Sequence, residues 1–177
     1  MKIKPIVFFS SILAVLSLYY FLFETDSNST IKDTNKKKAF HFEASNIKGI
    51  ELTSKTKKIV IIKKNNEWIL IKPVKKKAST KSVNEYLSML SAIEIIMPVD
   101  DNPGDNSAFG LENPSIKITL QQKNIKTSLG IMVGDYNPNM TCAYAKTNTS
   151  PEIFLIGSLF KNDIDKDVIF FKKQEGN

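Results

Sequence analysis

Hydrophobic residues in this chain fall into three regimes: a continuous run, a polar gap, and a long stretch of alternation. From Ile6 to Phe23, eighteen residues pass without a charge, and most are apolar. As a helix rising roughly 1.5 Å per residue they would extend about 27 Å, close to the ~30 Å of hydrocarbon that a spanning helix crosses. The next stretch, Glu24 to Lys38, is polar, lacks periodicity and closes on Lys36-Lys37-Lys38, which is the pattern of a tether. Regular patterning starts near Ala39. Residues 1–23 are therefore expected to anchor, 24–38 to tether, and 39–177 to form a single domain.

Inside that domain the pattern predicts strands over Ile47 to Leu52, Lys58 to Lys63 and Glu67 to Lys72. The last two join through Asn65-Asn66, and asparagine tolerates the positive φ of a hairpin turn. Pro73 has no N–H to donate and ends the ladder. A helix follows, capped by Ser79 or Thr80, with Val83, Tyr86, Leu87, Leu90 and Ile93 at steps of three and four on one face. After Ile95 to Val99 the strand pattern returns. Ile116, Ile118 and Leu120 alternate, as do Ile125, Thr127, Leu129, Ile131 and Val133, with Lys123-Asn124 as the turn. Cys142 to Lys146 and Ile153 to Ile156 add two more strands, and Ser158 to Lys161 opens a short helix. The expected fold class is α+β, a mostly antiparallel sheet with few helices preceded by one N-terminal transmembrane helix. Both halves share a strand, strand, strand, helix order, which reads as a β-β-β-α internal repeat with little residue identity.

The apolar run could instead be a secretory signal, whose core is about 7–15 residues long and ends at a small-x-small cleavage site. This core is longer, and it runs into bulky Leu18 to Phe23, leaving only Ser27-Asn28-Ser29 as a poor cleavage candidate. Its tyrosines and phenylalanines suit an interfacial aromatic belt, so an uncleaved anchor is the favoured reading. Lys2 and Lys4 place the N-terminus in the cytoplasm, but Lys32, Lys36, Lys37 and Lys38 on the other flank weaken charge as a guide to orientation.

Composition narrows the chemistry. All 25 basic residues are lysines. Bidentate capture of phosphate usually recruits arginine, so the formal net charge of +7 argues weakly for nucleic-acid recognition, and no nucleic-acid partner is expected. Fifteen lysines fall between Lys32 and Lys81, a density that could seat the membrane-proximal half on anionic lipid. The single cysteine, Cys142, excludes an intramolecular disulfide and reads as a small buried strand residue. His41 is the only histidine, so a zinc site or Cys-His pair would need residues from opposite ends of the domain. Asp100 to Asn106 is acidic but has neither the alternating ligands nor the closing Glu of an EF-hand loop, and Pro103 interrupts it. Gly130 and Gly134 read as a bulge or strand end, since no phosphate-loop context surrounds them. No catalytic, cofactor-binding or metal-ligating residue is expected.

Several landmarks, taken in order, resemble a bacterial family known as domain of unknown function 4340. They are Glu67-Trp68-Ile69-Leu70-Ile71-Lys72-Pro73, then Ala78-Ser79 before a helix with Val83, Leu87 and Leu90, then Phe109-Gly110-Leu111-Glu112-Asn113-Pro114, Leu129 to Gly134, and Tyr144. The resemblance covers about Ala39 to Lys173. The sequence departs from the family at Ser79, where an acid is common, and at Phe109, which replaces Tyr. The resemblance implies an N-terminally anchored envelope protein with its domain outside the cytoplasm. Relatives are often encoded beside components of a gliding-motility-type ABC transporter.

Three functions follow as expectations. The first is a non-enzymatic accessory or scaffold protein in the cytoplasmic membrane, single-pass and with its C-terminal domain extracytoplasmic. It would hold lipid through residues 6–23 and bind a membrane protein such as an ABC transporter permease. A tether of about 15 residues reaches roughly 20 Å, which keeps the domain close to the bilayer. The second is a binding module for envelope glycan, lipid or peptide, using a sheet edge or an aromatic such as Trp68, Tyr136 or Tyr144. The third is an enzyme whose carboxylates, for example Glu112 and Asp135, are assembled by the fold, although no spacing places them together. Tyr136-Asn137-Pro138 and the loop Asp100 to Asn106 are the segments expected to offer a partner surface.

Overall fold

The computed structural model describes residues 12–13, 16–17, 37–100 and 106–173, the side chain of Asp100 excepted. The first four are helical. No helix among the described residues is long and apolar enough to cross a membrane. The rest of the expected anchor over 6–23, residues 24–36 and most of the acidic loop lie outside the described residues. The chain divides into two compact units, the second of which begins at Lys37.

The alternating pattern builds one antiparallel sheet. Its strands are β1 (Ile47–Ser54), β2 (Lys58–Lys64), β3 (Glu67–Lys72), β4 (Lys76–Lys77), β5 (Met97–Asp100), β6 (Ile116–Gln122), β7 (Leu129–Tyr136), β8 (Cys142–Thr147) and β9 (Ile153–Gly157). Their order across the sheet is β4-β3-β2-β1-β6-β7-β8-β9-β5. Within residues 37–173 the described helices are α1 (Thr80–Ser91), α2 (Ser158–Ile164) and α3 (Val168–Phe171), with two single 3-10 turns at Ala44–Asn46 and Ser107–Phe109. Ile50, Leu52, Ile59, Ile61, Trp68, Leu70, Ile118, Leu120, Ile131, Val133, Phe154 and Ile156 are buried together with the Val83, Tyr86, Leu87 and Leu90 face of α1. Because a strand's side chains alternate between faces, the helix-covered face takes these residues and leaves their neighbours on the other side.

Two meanders, β1 to β4 and β6 to β9, each end in a helix and meet at the sheet centre. There β1 and β6 pair antiparallel, with Leu52 opposite Ile118 and Ile50 opposite Leu120. Each half is therefore four strands followed by a helix, one strand longer than the pattern suggested. The extra strand in the first half is β4, two exposed lysines with no hydrophobic signal. β5 lies outside both meanders, on the far side of β9.

Local chemistry sets the ends as expected at several points. Asn65 and Asn66 hold φ of 50° and 63° in the β2–β3 hairpin, and Ser79 Oγ accepts from Ser82 N at 3.2 Å to cap α1. The expected strand over Ile125 to Val133 starts later. Pairing with β6 begins at Leu129 opposite Leu120, and exposed Ile125 belongs to the turn. Asn124 at φ 59° turns the chain away, and β6 has ended at Gln122, so Ile125 and Thr127 have no ladder to join.

Tyr86 ties the helices together. Its hydroxyl donates to the Ile164 carbonyl at 2.9 Å, near the end of α2, while its ring meets Phe171 edge-on at 5.1 Å. Burial, and secondarily the charge of Asp165, push this hydroxyl far above its ordinary value of 10.0. The unfolded chain releases the proton near pH 10.0 and the folded chain keeps it, so stability falls as pH rises beyond that value. Tyr86→Phe is expected to lose about 1–2 kcal/mol at neutral pH by stranding the carbonyl. The same variant should show a shallower alkaline decline than the parent in urea titrations across that range.

Candidate functional site

The family-like turn and the second glycine pair meet in one place. At β7 the register slips between Val133 and Tyr136, forming a bulge at Gly134-Asp135. The Ser107–Phe109 turn ends at Gly110, φ 66°, and lies directly on that bulge. A β-carbon on Gly134 would fall inside the van der Waals envelope of the Phe109 carbonyl oxygen, and one on Gly110 would meet the Asp135 carboxyl. Ser115 Oγ lies 2.9 Å from the Val133 carbonyl and 3.0 Å from that of Gly134. Lys161 Nζ, from α2, donates to the Gly134 carbonyl at 2.6 Å and sits 3.8 Å over the Tyr136 ring. Lys161 is 8% exposed, and burial lowers its pKa, partly offset by Asp135. These contacts account for a buried lysine as a bolt between α2 and the bulge, with the ring and carbonyl replacing water around its charge.

The sheet face opposite the helices is open between β3 and β7. Half-buried Val60 and Ile62 on β2 and Ile69 and Ile71 on β3 make an apolar patch there, with Ile62 directly opposite Ile69. Beside it the row Val60, Glu51, Thr119, Gly130 crosses the sheet. Gly130 has no side chain to stand on the face, so a groove of about 550 Å³ opens there, walled by Glu51, Lys58, Lys117, Met132 and Asn148. Glu51 and Lys58 pair across it at 2.6 Å. Asn148 continues the ladder where β8 stops: its Oδ1 accepts from Gly130 N at 2.7 Å and its Nδ2 donates to the Ser128 carbonyl at 2.7 Å.

Sequence-predicted candidates are mostly committed to structure. Trp68 is buried in the core with Lys63 Nζ 5.5 Å from its ring. Tyr136 lies under Lys161 and donates to Asn162 Oδ1 at 2.9 Å. Tyr144 packs on Phe109 at 4.8 Å. In the expected partner segment, Asn137 Oδ1 instead accepts from Cys142 N at 3.0 Å, closing the β7–β8 turn, and only Pro138 is exposed. Cys142 is half-buried, not fully buried, because it opens β8 on the uncovered face. Glu112 and Asp135 are both exposed, with the Asp135 carboxyl against Gly110. No cluster of three or more metal-ligating side chains occurs among the described residues. Asn148, the β2–β3 patch and the groove over Gly130 escaped the sequence reading, because a glycine's vacancy matters only once its cross-strand neighbours are known.

Two meander-and-helix halves, clad on one face and open with a groove on the other, define a sheet-platform α+β module. The chain belongs to the family described as Domain of unknown function (DUF4340), which matches residues 68–173. That match runs from β3 to just past α3 and includes Trp68, the Phe109 to Pro114 turn and Gly134. No curated protein and no solved structure matches the chain.

Proposed function

We propose that the protein is a non-enzymatic accessory or scaffold component of the cytoplasmic membrane. Residues 6–23 anchor it, its domain lies outside, and the open sheet face docks a membrane-protein partner such as an ABC-type transporter permease. The observation that carries this reading is the uncovered apolar patch of Val60, Ile62, Ile69 and Ile71 beside the groove. An aliphatic patch rimmed by polar residues is a surface suited to a protein partner. The eighteen-residue apolar run supports the anchor.

Affinity purification of the full-length chain from its own membranes in mild detergent tests the reading. A transporter permease or ATPase is expected at stoichiometric recovery. The Ile62→Thr/Ile69→Glu variant should lower that recovery at least about tenfold, with a stability loss of only about 1 kcal/mol at these half-exposed positions. Deleting 39–177 should abolish function, and Trp68→Phe or Cys142→Ala should retain it. Full function from the anchor alone would sink the proposal.

The groove at Gly130 favours a second reading, an envelope ligand-binding module for glycan, lipid or peptide. Recovery of this chain alone, from a preparation in which known complexes stay intact, would turn the conclusion that way. Trp68 is buried, so a ligand screen needs thermal stabilisation instead of tryptophan fluorescence as its readout.

A further inference from the structure

In an antiparallel meander alternate turns share an end of the sheet. Here the β2–β3 turn at Asn65-Asn66, the start of β1, the β6–β7 turn and the β8–β9 turn lie together, since Ile47 pairs with Gln122 and Asn148 bonds both Ser128 and Gly130. Exposed Lys48, Lys64, Lys123 and Lys126 all stand at this end, and none makes an ion pair among the described residues. Of the acids nearby, Glu67 pairs with Lys77, Glu152 with Lys37 at 3.0 Å, and Glu43 accepts from Asn46 Nδ2 at 3.0 Å, while Asp100, opposite Ile153, ends β5 at the edge strand of this same end. Ile125, 51% exposed, projects between Lys123 and Lys126.

The entering chain reaches this end through Lys37, whose Nζ holds Glu152 in the β8–β9 turn at 3.0 Å. Its main-chain bonds, Ala39 N to the Ile93 carbonyl at 2.9 Å and Ile95 N to the Lys37 carbonyl at 2.8 Å, are made with the residues that lead into β5. At the opposite end Lys57 pairs with Asp165 at 3.0 Å, and Asp163 and Asp167 lie close in sequence.

We infer that this lysine-bearing end of the sheet is a docking surface for anionic lipid headgroups, holding the domain upright on the bilayer. The inference rests on the anchored reading above. The tether's reach of roughly 20 Å is shorter than the ~26 Å length of the eight-residue strand β7, so the end that receives the tether is the one kept near the headgroups. The lysines come from both halves of the chain, so the surface is one end of the sheet and not the lysine-dense half of the sequence. Ile125 adds an apolar tip of the kind that enters the headgroup layer beside basic residues. Each lysine near an anionic surface multiplies the docked-to-free ratio about fivefold.

The test uses the full-length chain reconstituted in vesicles carrying a dansyl-labelled lipid. One set is phosphatidylcholine and the other phosphatidylcholine with phosphatidylglycerol. Trp68, the only tryptophan and close to this end in β3, is the energy donor. Transfer is expected to rise with phosphatidylglycerol and fall back in molar salt. It should also fall in Lys48→Gln/Lys64→Gln/Lys123→Gln/Lys126→Gln, while Lys55→Gln/Lys72→Gln/Lys75→Gln at the opposite end keeps it. All seven positions are exposed or half-exposed, and circular dichroism checks that both variants fold. Transfer indifferent to phosphatidylglycerol, from a chain that floats with both vesicle types, overturns the lipid surface and leaves the anchor standing. Equal loss in the two variants overturns it as well, since net charge alone would then explain the effect. Failure to float with phosphatidylcholine vesicles overturns the anchor and, with it, this inference.

Discussion

Gly134→Ala is expected to destabilise the folded domain by about 3 kcal/mol or more, enough to remove much of a typical domain's stability. The added methyl group would collide with the Phe109 carbonyl oxygen, and neither side can yield. Gly134 is held by the bulge in β7, by Lys161 Nζ on its carbonyl and by Ser115 Oγ beside it. Phe109 is held by Gly110 in the left-handed region and by its ring on Tyr144. Gly130→Ala is the control: its β-carbon would sit 3.3 Å from the Ile118 carbonyl, tight but open on the groove side, so a loss near 1 kcal/mol is expected. Urea denaturation of the full-length chain measures both. A Gly134→Ala loss below that of Gly130→Ala would mean that the turn moves freely off the bulge. The Phe109-Gly110-Leu111-Glu112-Asn113-Pro114 turn is, on this account, a fold-closing device.

Trp68→Ala should lose about 3–5 kcal/mol, the range for emptying a large aromatic site in a packed core. Trp68 stands on the helix-covered face of β3 among Ile61, Leu70 and the other core residues, so its removal leaves a cavity beneath the sheet. Trp68→Phe keeps most of the volume and is expected to lose less, about 1–2 kcal/mol. Chemical denaturation followed by far-ultraviolet circular dichroism distinguishes the two. If Trp68→Ala proved as stable as the parent but failed to bind a partner, the tryptophan would be a recognition residue and the present assignment to the core would fall.

Strand faces, the α1 stripe, the Ser79 cap and the Asn65-Asn66 turn were all legible, because each is set by residues within a few positions of one another. The short pieces were not. β4 is two lysines and α3 is four residues, and neither is long enough to show a period. Gly130 and Gly134 looked alike in sequence, yet one opens a groove and the other receives a turn. Lys161, legible in sequence only as part of a short helix, is buried on Tyr136 and the Gly134 carbonyl.

What the sequence determined by itself was the local layer: an eighteen-residue apolar run, an alternation that assigns one covered face, and the turn residues that divide the strands. Only the tertiary structure decided that β1 pairs with β6, that the Phe109-Gly110 turn lands on the bulge, and that Lys48, Lys64, Lys123 and Lys126 share one end of the sheet. The physical reason is range. Periodicity and capping follow from the helix and strand repeat within a single element. Pairing between distant strands follows from which combination buries the most apolar surface with every backbone group satisfied, a property of the whole chain that no local window contains.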